Sequence, residues 1–454
     1  MTTIISFVLV IGILILIHEL GHFIVARWTG VGVERFSIGF GPVLLRWRGK
    51  ETEYCLSAIP MGGYVKMLGE ESPLEGGASI PYDPKKAFAL KPLWARFLIV
   101  FAGPGMNFVL AAVIVAIVLA TSGRPVWTPT VGRVADDAPA AAAGLRSGDV
   151  VTAIDGRPVT YWEDVDRAVA SSGGRPLQLT LKRGDVTQSV TVTPREITIP
   201  DPVLRDPKTV WDIGTGPQSV PQITSVASGS PAEAAGLKPG DVVLSIAGKR
   251  AFTADDLVQT IRAHPGQGIP IEIERDGKRM TLTVTPKPED EKTPAGDTMR
   301  VGRIQAGIGS KAVSYAAYDP VRALWHGITW TKDMTLVTVK GFWKLVLGSI
   351  DRSNIGGPIQ IATMAGQQAR EGLGPLAMFT AIISVNLAVL NLLPVPMLDG
   401  GHLFFFVIEA VLGRPLSLRK REAAQQLGFV LLMLLMVYAL YNDLMRINAF
   451  NFLR

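Results

Sequence analysis

The chain has 454 residues, 48% hydrophobic and 19% charged, with a mean hydropathy of +0.29. This balance excludes a disordered chain and an ordinary soluble enzyme, and the single cysteine, Cys55, excludes an intrachain disulfide framework or a cysteine-built zinc cluster. The formal net charge of +6 comes from basic residues placed beside apolar runs, which points to a lipid bilayer and away from nucleic acid.

Four stretches, 4–25, 97–121, 376–393 and 427–441, approach the roughly 20 apolar residues a bilayer crossing needs. The first has no basic residue in Met1-Thr2-Thr3 and no small-residue cleavage pattern after it, so residues 1–27 read as a span rather than a signal peptide. That span is interrupted by His18-Glu19-Leu20-Gly21-His22. Ionisable groups inside an apolar span are costly and mark function. On a helix His18 and His22 share one face and can aim two imidazole nitrogens at one ion. Glu19, about 100° around the helix, can reach a water beside that ion. A polar contact between helices is the plainer alternative.

Lysine and arginine set the orientation. Ten of them lie in 27–96, including Arg46, Arg48, Lys85 and Lys86, and the loop before the last span holds Arg414, Arg419, Lys420 and Arg421. Both loops read as cytoplasmic, which places both termini and the 122–375 insert outside, in a bacterium the periplasm. Within 28–95, Phe36 to Phe40 and Tyr54 to Ile59 alternate like strands between glycine and charged turns. This is a β region, either re-entrant from the cytoplasmic side or a soluble hairpin. The second span follows at 96–123.

The insert contains a repeat. Residues 139–159 align without a gap to 231–251, with twelve of 21 positions identical at an offset of 92. Apolar alternation follows each copy, in Leu177, Leu179 and Leu181 and in Ile271, Ile273, Leu282 and Val284. The segment A-G-L-x-x-G-D-V-V-x-x-I-x-G resembles bacterial, circularly permuted PDZ domains, here 124–197 and 219–288. Such modules take an extended peptide by strand addition. The peptide-binding candidates are Gly144, Leu145, Gly148 and Asp149, and in the second copy Gly236, Leu237, Gly240 and Asp241, because tight Gly-Asp turns leave backbone N–H groups free. A packed spacer without a ligand is the alternative. Asp319-Pro320 then starts a helix, and Val321, Leu324, Trp325 and Ile328 follow helical spacing. Phe342, Trp343, Leu345 and Val346 extend the apolar surface. Residues 318–350 therefore read as an amphipathic helix on the outer interface, against a plain core helix of the insert.

A catalytic zinc needs a third protein ligand and one open position. The third span, within 374–412, ends in Asn391-Leu-Leu-Pro394-Val-Pro396-Met-Leu-Asp399-Gly-Gly-His402. Prolines break the helix there, and a carboxylate at membrane depth has a metal as its natural partner. Asp399 and His402 both remain candidates, with Asp399 favoured because an irregular turn can aim a short side chain inward. The last span is 427–448.

H-E-x-x-H in the first span joined to N-x-x-P-x-x-x-L-D-G in the third is similar to the double signature of the site-2 protease family of intramembrane zinc proteases. The resemblance covers essentially the whole chain. It implies a polytopic α-helical membrane protein with four transmembrane helices, a membrane-associated β-hairpin sheet and two extracytoplasmic circularly permuted PDZ domains of β-rich α+β type. It further implies one Zn2+ per chain, held by His18, His22 and Asp399 with Glu19 as general base, and His402 outside the ligand set. Asn386, Asn391, Pro394 and Pro396 are implied in holding or unwinding the substrate helix. The run Phe101-Ala-Gly-Pro-Gly-Met-Asn107 is implied as a glycine-rich approach beside the site, and the β region as a sheet that takes the substrate as an added strand. The implied substrates are single-pass membrane proteins, such as an anti-sigma factor of an envelope stress response, and possible remnant signal peptides. They are cut after an upstream extracytoplasmic protease has acted, in the bacterial inner membrane. Two other classes compete: a PDZ-bearing scaffold without proteolysis, and a metal or proton transporter, which would show more spans and inverted repeats. The ligand set would also hold cobalt or iron.

Overall fold

The computed structural model describes residues 2–70, 83–200, 207–251, 253–292, 298–311, 314–348 and 356–446. The chain divides into two compact units, Met1–Ser122 with Ala317–Arg454, and Gly123–Ala316.

The first unit is built from helices α1 (Thr2–Trp28), α2 (Leu93–Thr121), α3 (Pro320–Val346), α4 (Pro358–Glu371), α5 (Leu373–Asn391), α6 (Asp399–Leu412) and α7 (Leu418–Arg446), and strands β1 (Val33–Arg48) and β2 (Glu53–Met67). By length and composition α1, α2, α5 and α7 are each long and apolar enough to cross a membrane. Even α5, with 19 residues, spans about 28 Å at 1.5 Å per residue, close to a bilayer's hydrocarbon core.

Small residues bring these helices together, as expected where lipid and side chain are equally apolar. A Cβ on Gly21 of α1 would collide with the Ala102 carbonyl of α2. Ala111 and Val115 of α2 bury against Ala381 and Val385 of α5. Helix α3 belongs to this unit rather than to the insert. It packs on α2 through Ala323, Gly327 and Thr331, and a Cβ on Gly327 would collide with the Ala112 carbonyl. The stripe of Val321, Leu324, Trp325 and Ile328 faces outward instead. Within 374–412 the chain forms two helices, with Pro394 and Pro396 in the break between α5 and α6. The last helix starts at Leu418, well before the expected 427.

The two strands form more than a hairpin. Each folds over at glycines in the left-handed region, Gly39 and Gly41 in β1 (φ +89° and +83°) and Gly62 in β2 (φ +122°). Residues 43–48 then pair with 53–57, residues 53–59 with 35–40, and residues 33–38 with 63–67. The result is a four-segment sheet whose edges are 43–48 and 63–67. Val33, Phe36, Val65 and Met67 pack with Ala26 of α1 and Ile99 of α2 into one core.

In the second unit each repeat forms a sheet with one helix over it. The first places Val150–Ile154, Leu177–Arg183 and Val186–Val192 side by side with helix Trp162–Ser171. The second has the equivalent strands, helix Ala254–Arg262, and Ala306–Lys311 at one edge. Val131–Val134 pairs with Thr215–Pro217, and Val220–Val226 with Ala306–Lys311. The cores accordingly include Ile213 and Ile304, beyond the expected ends at 197 and 288, since later strands close each repeat.

The Gly-Asp turns are occupied from within, which corrects the expectation that they offer free N–H groups. The Gly148 N–H donates to Val131 O and the Gly240 N–H to Ile223 O, both at 2.8 Å. Asp149 is buried, accepting from the Arg146 N–H (2.8 Å) and from Arg183 Nε and Nη2 (2.7 Å each). Asp241 does the same with the Lys238 N–H and Arg275. Nη2 of each arginine also reaches the carbonyl of Gly144 or Gly236 at 2.8 Å, while Leu145 and Leu237 sit in the cores. All eight positions are engaged within the fold in this way.

Burial pushes the two aspartate carboxyls up, but the arginine and backbone N–H donors outweigh it, and both lie below their usual range. A lowered folded pKa gives stability that is present above the ordinary carboxylate pKa and lost as pH falls through the folded value. The acid limb of insert unfolding, followed by tryptophan fluorescence, is therefore expected to flatten in Asp149→Asn and Asp241→Asn. An unchanged pH slope in both variants would show that these pairs do not govern acid stability.

Candidate metal centre

Three candidate metal-ligating side chains from two distant parts of the chain meet where α1, α2 and α6 converge. His18 and His22 lie one turn apart on the buried face of α1, in line with Leu14 and Val10. His18 Nε2 stands 3.0 Å from Asp399 Oδ2, His22 Nε2 3.6 Å from Asp399 Oδ1, and the two Nε2 atoms 3.2 Å apart. Among the described residues this is the one group of three metal-ligating side chains. His402 is exposed, its ring against Phe405, and lies outside the group.

The spacing can be tested against zinc. A tetrahedron with arms of about 2.05 Å has edges of about 3.3 Å, and the three observed separations scatter around that value. Two neutral imidazoles and a carboxylate are also a known catalytic zinc donor class. The His22 tautomer is suited to it: Nδ1 donates to the Ile99 carbonyl at 2.8 Å, leaving the Nε2 lone pair free. The residues present therefore fit zinc.

Each ligand is placed by close backbone approach. On α2, a Cβ at Gly103 would overlap His22 Nε2 and stand 2.5 Å from its Cε1 and 2.8 Å from His18 Nε2. Asp399 opens α6, and Gly400 and Gly401 let that helix start tight against the preceding loop, where a Cβ would collide with Leu393 O or Val395 O. The far end of α6 is pinned to the start of α2 by Glu409, whose Oε1 and Oε2 accept from Arg96 at 2.6 and 3.2 Å. The same guanidinium stacks over Phe406 at 5.1 Å.

Glu19 lies against the sheet edge. Its Cγ is 3.1 Å from where a Gly63 Cβ would stand, and the Val65 backbone hydrogen-bonds it. The other expected residues lie around rather than in the metal group. The Asn386 Oδ1 accepts from Thr338 Oγ1 of α3 at 2.8 Å. Asn391 ends α5, Pro394 and Pro396 form the loop before α6, and Pro396 packs against Gly428 of α7. Sequence reasoning had singled out the run 101–107 but not Gly103 or Asn107 within it. It gave no sign of Ile99, Thr338 or the Arg96–Glu409 pair, whose partners are remote in the chain.

Residues 6–435 match peptidase family M50. The regulator of sigma-E protease RseP of Escherichia coli is 36% identical over 463 residues, covering 97% of this chain and 98% of its own. A Ralstonia nicotianae protein carrying a zinc-metalloprotease name is 38% identical over 467 residues, covering 98% of this chain and 99% of its own. A solved PDZ domain of an SdrC-like protein from Listeria monocytogenes aligns with 21% of this chain and 88% of its own at 20% identity and a TM-score of 0.15. The architecture of the insert rests on its own strands and helices.

Proposed function

The chain belongs to peptidase family M50, the site-2 protease family, and is a zinc metalloprotease; from that premise we propose that it hydrolyses peptide bonds of transmembrane segments within the bilayer. The observation that carries this reading is the meeting of His18, His22 and Asp399 at tetrahedral-edge distances among helices apolar enough to cross a membrane. One zinc per chain would be held by those three side chains. When bound, zinc supplies a Lewis acid for the scissile carbonyl and the attacking water. Glu19 takes the proton of that water and hands it to the leaving nitrogen.

A substrate helix has to unwind before its amide reaches the site, and its freed backbone groups then need partners. The edge segment 63–67, beside Glu19, is placed to supply them by strand addition. Asn386, Asn391, Pro394 and Pro396 border the approach from α5 and its loop. The Lys and Arg of 27–96 and 414–421 support a topology with the sheet on the cytoplasmic side and the insert in the periplasm of a bacterial inner membrane. The substrates are single-pass membrane proteins already cut outside by another protease, an anti-sigma factor foremost, in keeping with the name of the Escherichia coli relative. In the insert, edge strand Ala306–Lys311 beside helix Ala254–Arg262 is where a peptide end would add.

The test is metal content per chain of detergent-purified protein, wild type beside Asp399→Ala. About one zinc per wild-type chain, largely lost in the variant, is the expected result. Wild type without metal, or a variant that keeps its zinc, would overturn the assignment.

A further inference from the structure

The two histidines of the metal group are held differently on their far sides. The Nδ1 of His22 faces a backbone carbonyl, which only accepts, so its proton sits on Nδ1 and Nε2 is always ready for a metal. The Nδ1 of His18 faces the side-chain amide of Asn107, which can either donate or accept. The amide of Asn107 lies 3.2 Å from Nδ1, within reach of either of its ends. An amide that donated there would leave the His18 proton on Nε2, toward Asp399 Oδ2 at 3.0 Å, and an Nε2 carrying a proton cannot bind zinc.

Asn107 is fully buried, and its Oδ1 has no hydrogen-bond partner among the described residues. The two ends of the amide can therefore trade places by a half-turn without loss to the oxygen. With the oxygen toward His18 Nδ1, the imidazole proton sits on Nδ1 and the Nε2 lone pair is free for a metal. The backbone is anchored meanwhile, because Ser384 Oγ of α5 donates to the Asn107 carbonyl at 2.7 Å.

We propose that Asn107 is the positioning residue that sets the His18 tautomer, accepting from Nδ1–H through Oδ1 so that the Nε2 lone pair is kept for a metal. This rests on the ligand assignment given above. An acceptor at position 107 is then sufficient for binding, and a side chain of similar size without one is not.

Zinc affinity of the full-length, metal-stripped protein in detergent, measured by competition with a chromophoric chelator, decides it. Removing an outer hydrogen-bond partner of a metal-bound histidine costs about 10- to 100-fold in metal affinity. Asn107→Leu is expected to show that loss, and Asn107→Asp, which can only accept, to stay within about threefold of wild type. Leucine binding as wild type does, or aspartate weakened as far as leucine, would overturn the inference. If Asn107→Leu does not fold, Asn107→Asp alone decides, since a tenfold loss there refutes sufficiency of the acceptor. Wild type that binds no zinc would instead sink the ligand assignment itself, so the two failures are distinguishable.

Discussion

Alanine at position 103 is expected to empty the metal centre. The added methyl would overlap His22 Nε2 and stand 2.8 Å from His18 Nε2, the two atoms offered as ligands. The His22 ring is held from behind by the Ile99 carbonyl, on the same helix as Gly103, and has little room to withdraw. Nor can α1 back away as a whole without opening the adjoining Gly21–Ala102 contact. A misplacement of about 1 Å at a catalytic constellation costs roughly 100-fold in rate, so cleavage is expected to fall at least that far and zinc to be largely lost. Metal analysis of purified Gly103→Ala, with thermal unfolding as the check on folding, reads this directly. A folded variant with full zinc would show that the ligand atoms tolerate more motion than their packing implies.

The second large effect separates the base from the ligands. Glu19→Gln keeps the size and hydrogen bonding of the side chain and removes only its ability to take a proton. General acid–base catalysis contributes roughly 100- to 10,000-fold, about 3–5.5 kcal/mol of barrier. Cleavage of a single-pass membrane substrate is expected to drop by that amount while zinc content stays at the wild-type level. Asp399→Ala should lose both together. If Glu19→Gln lost its zinc as well, Glu19 would be holding the site together rather than moving a proton. If it kept full activity, another group would be the base.

Much of this molecule was legible in the sequence, for reasons that are local. A run of some twenty apolar residues can hardly be anything but a span, and spacing of four on a helix puts His18 and His22 on one face whatever surrounds them. The repeat at an offset of 92 was visible for the same reason, and it extends to Arg183 and Arg275, each the partner of its own repeat's buried aspartate.

Where the sequence reading fell short, the deciding partner lay far away in the chain. The Gly-Asp turns looked like open N–H sites because neither Val131 and Ile223 nor the two arginines could be placed beside them. The apolar stripe of α3 was legible as an outward, interfacial surface, but the face that packs on α2 was not, since periodicity detects large apolar side chains. The helix instead uses Ala323, Gly327 and Thr331, because without a hydrophobic drive between helices close approach favours small side chains.

The sequence by itself determined which elements are long and apolar enough to cross a bilayer, which two histidines share a face, and that Asp399 was a better third partner than His402. Only the tertiary structure decided that Asp399 joins them and His402 does not, that Gly103 leaves room for the imidazoles, that a sheet edge lies along Glu19, and that Asn107 stands behind His18. Periodicity is a property of one helix or strand, whereas a ligand set is a set of distances between elements. Those distances follow from which small residues let which backbones touch.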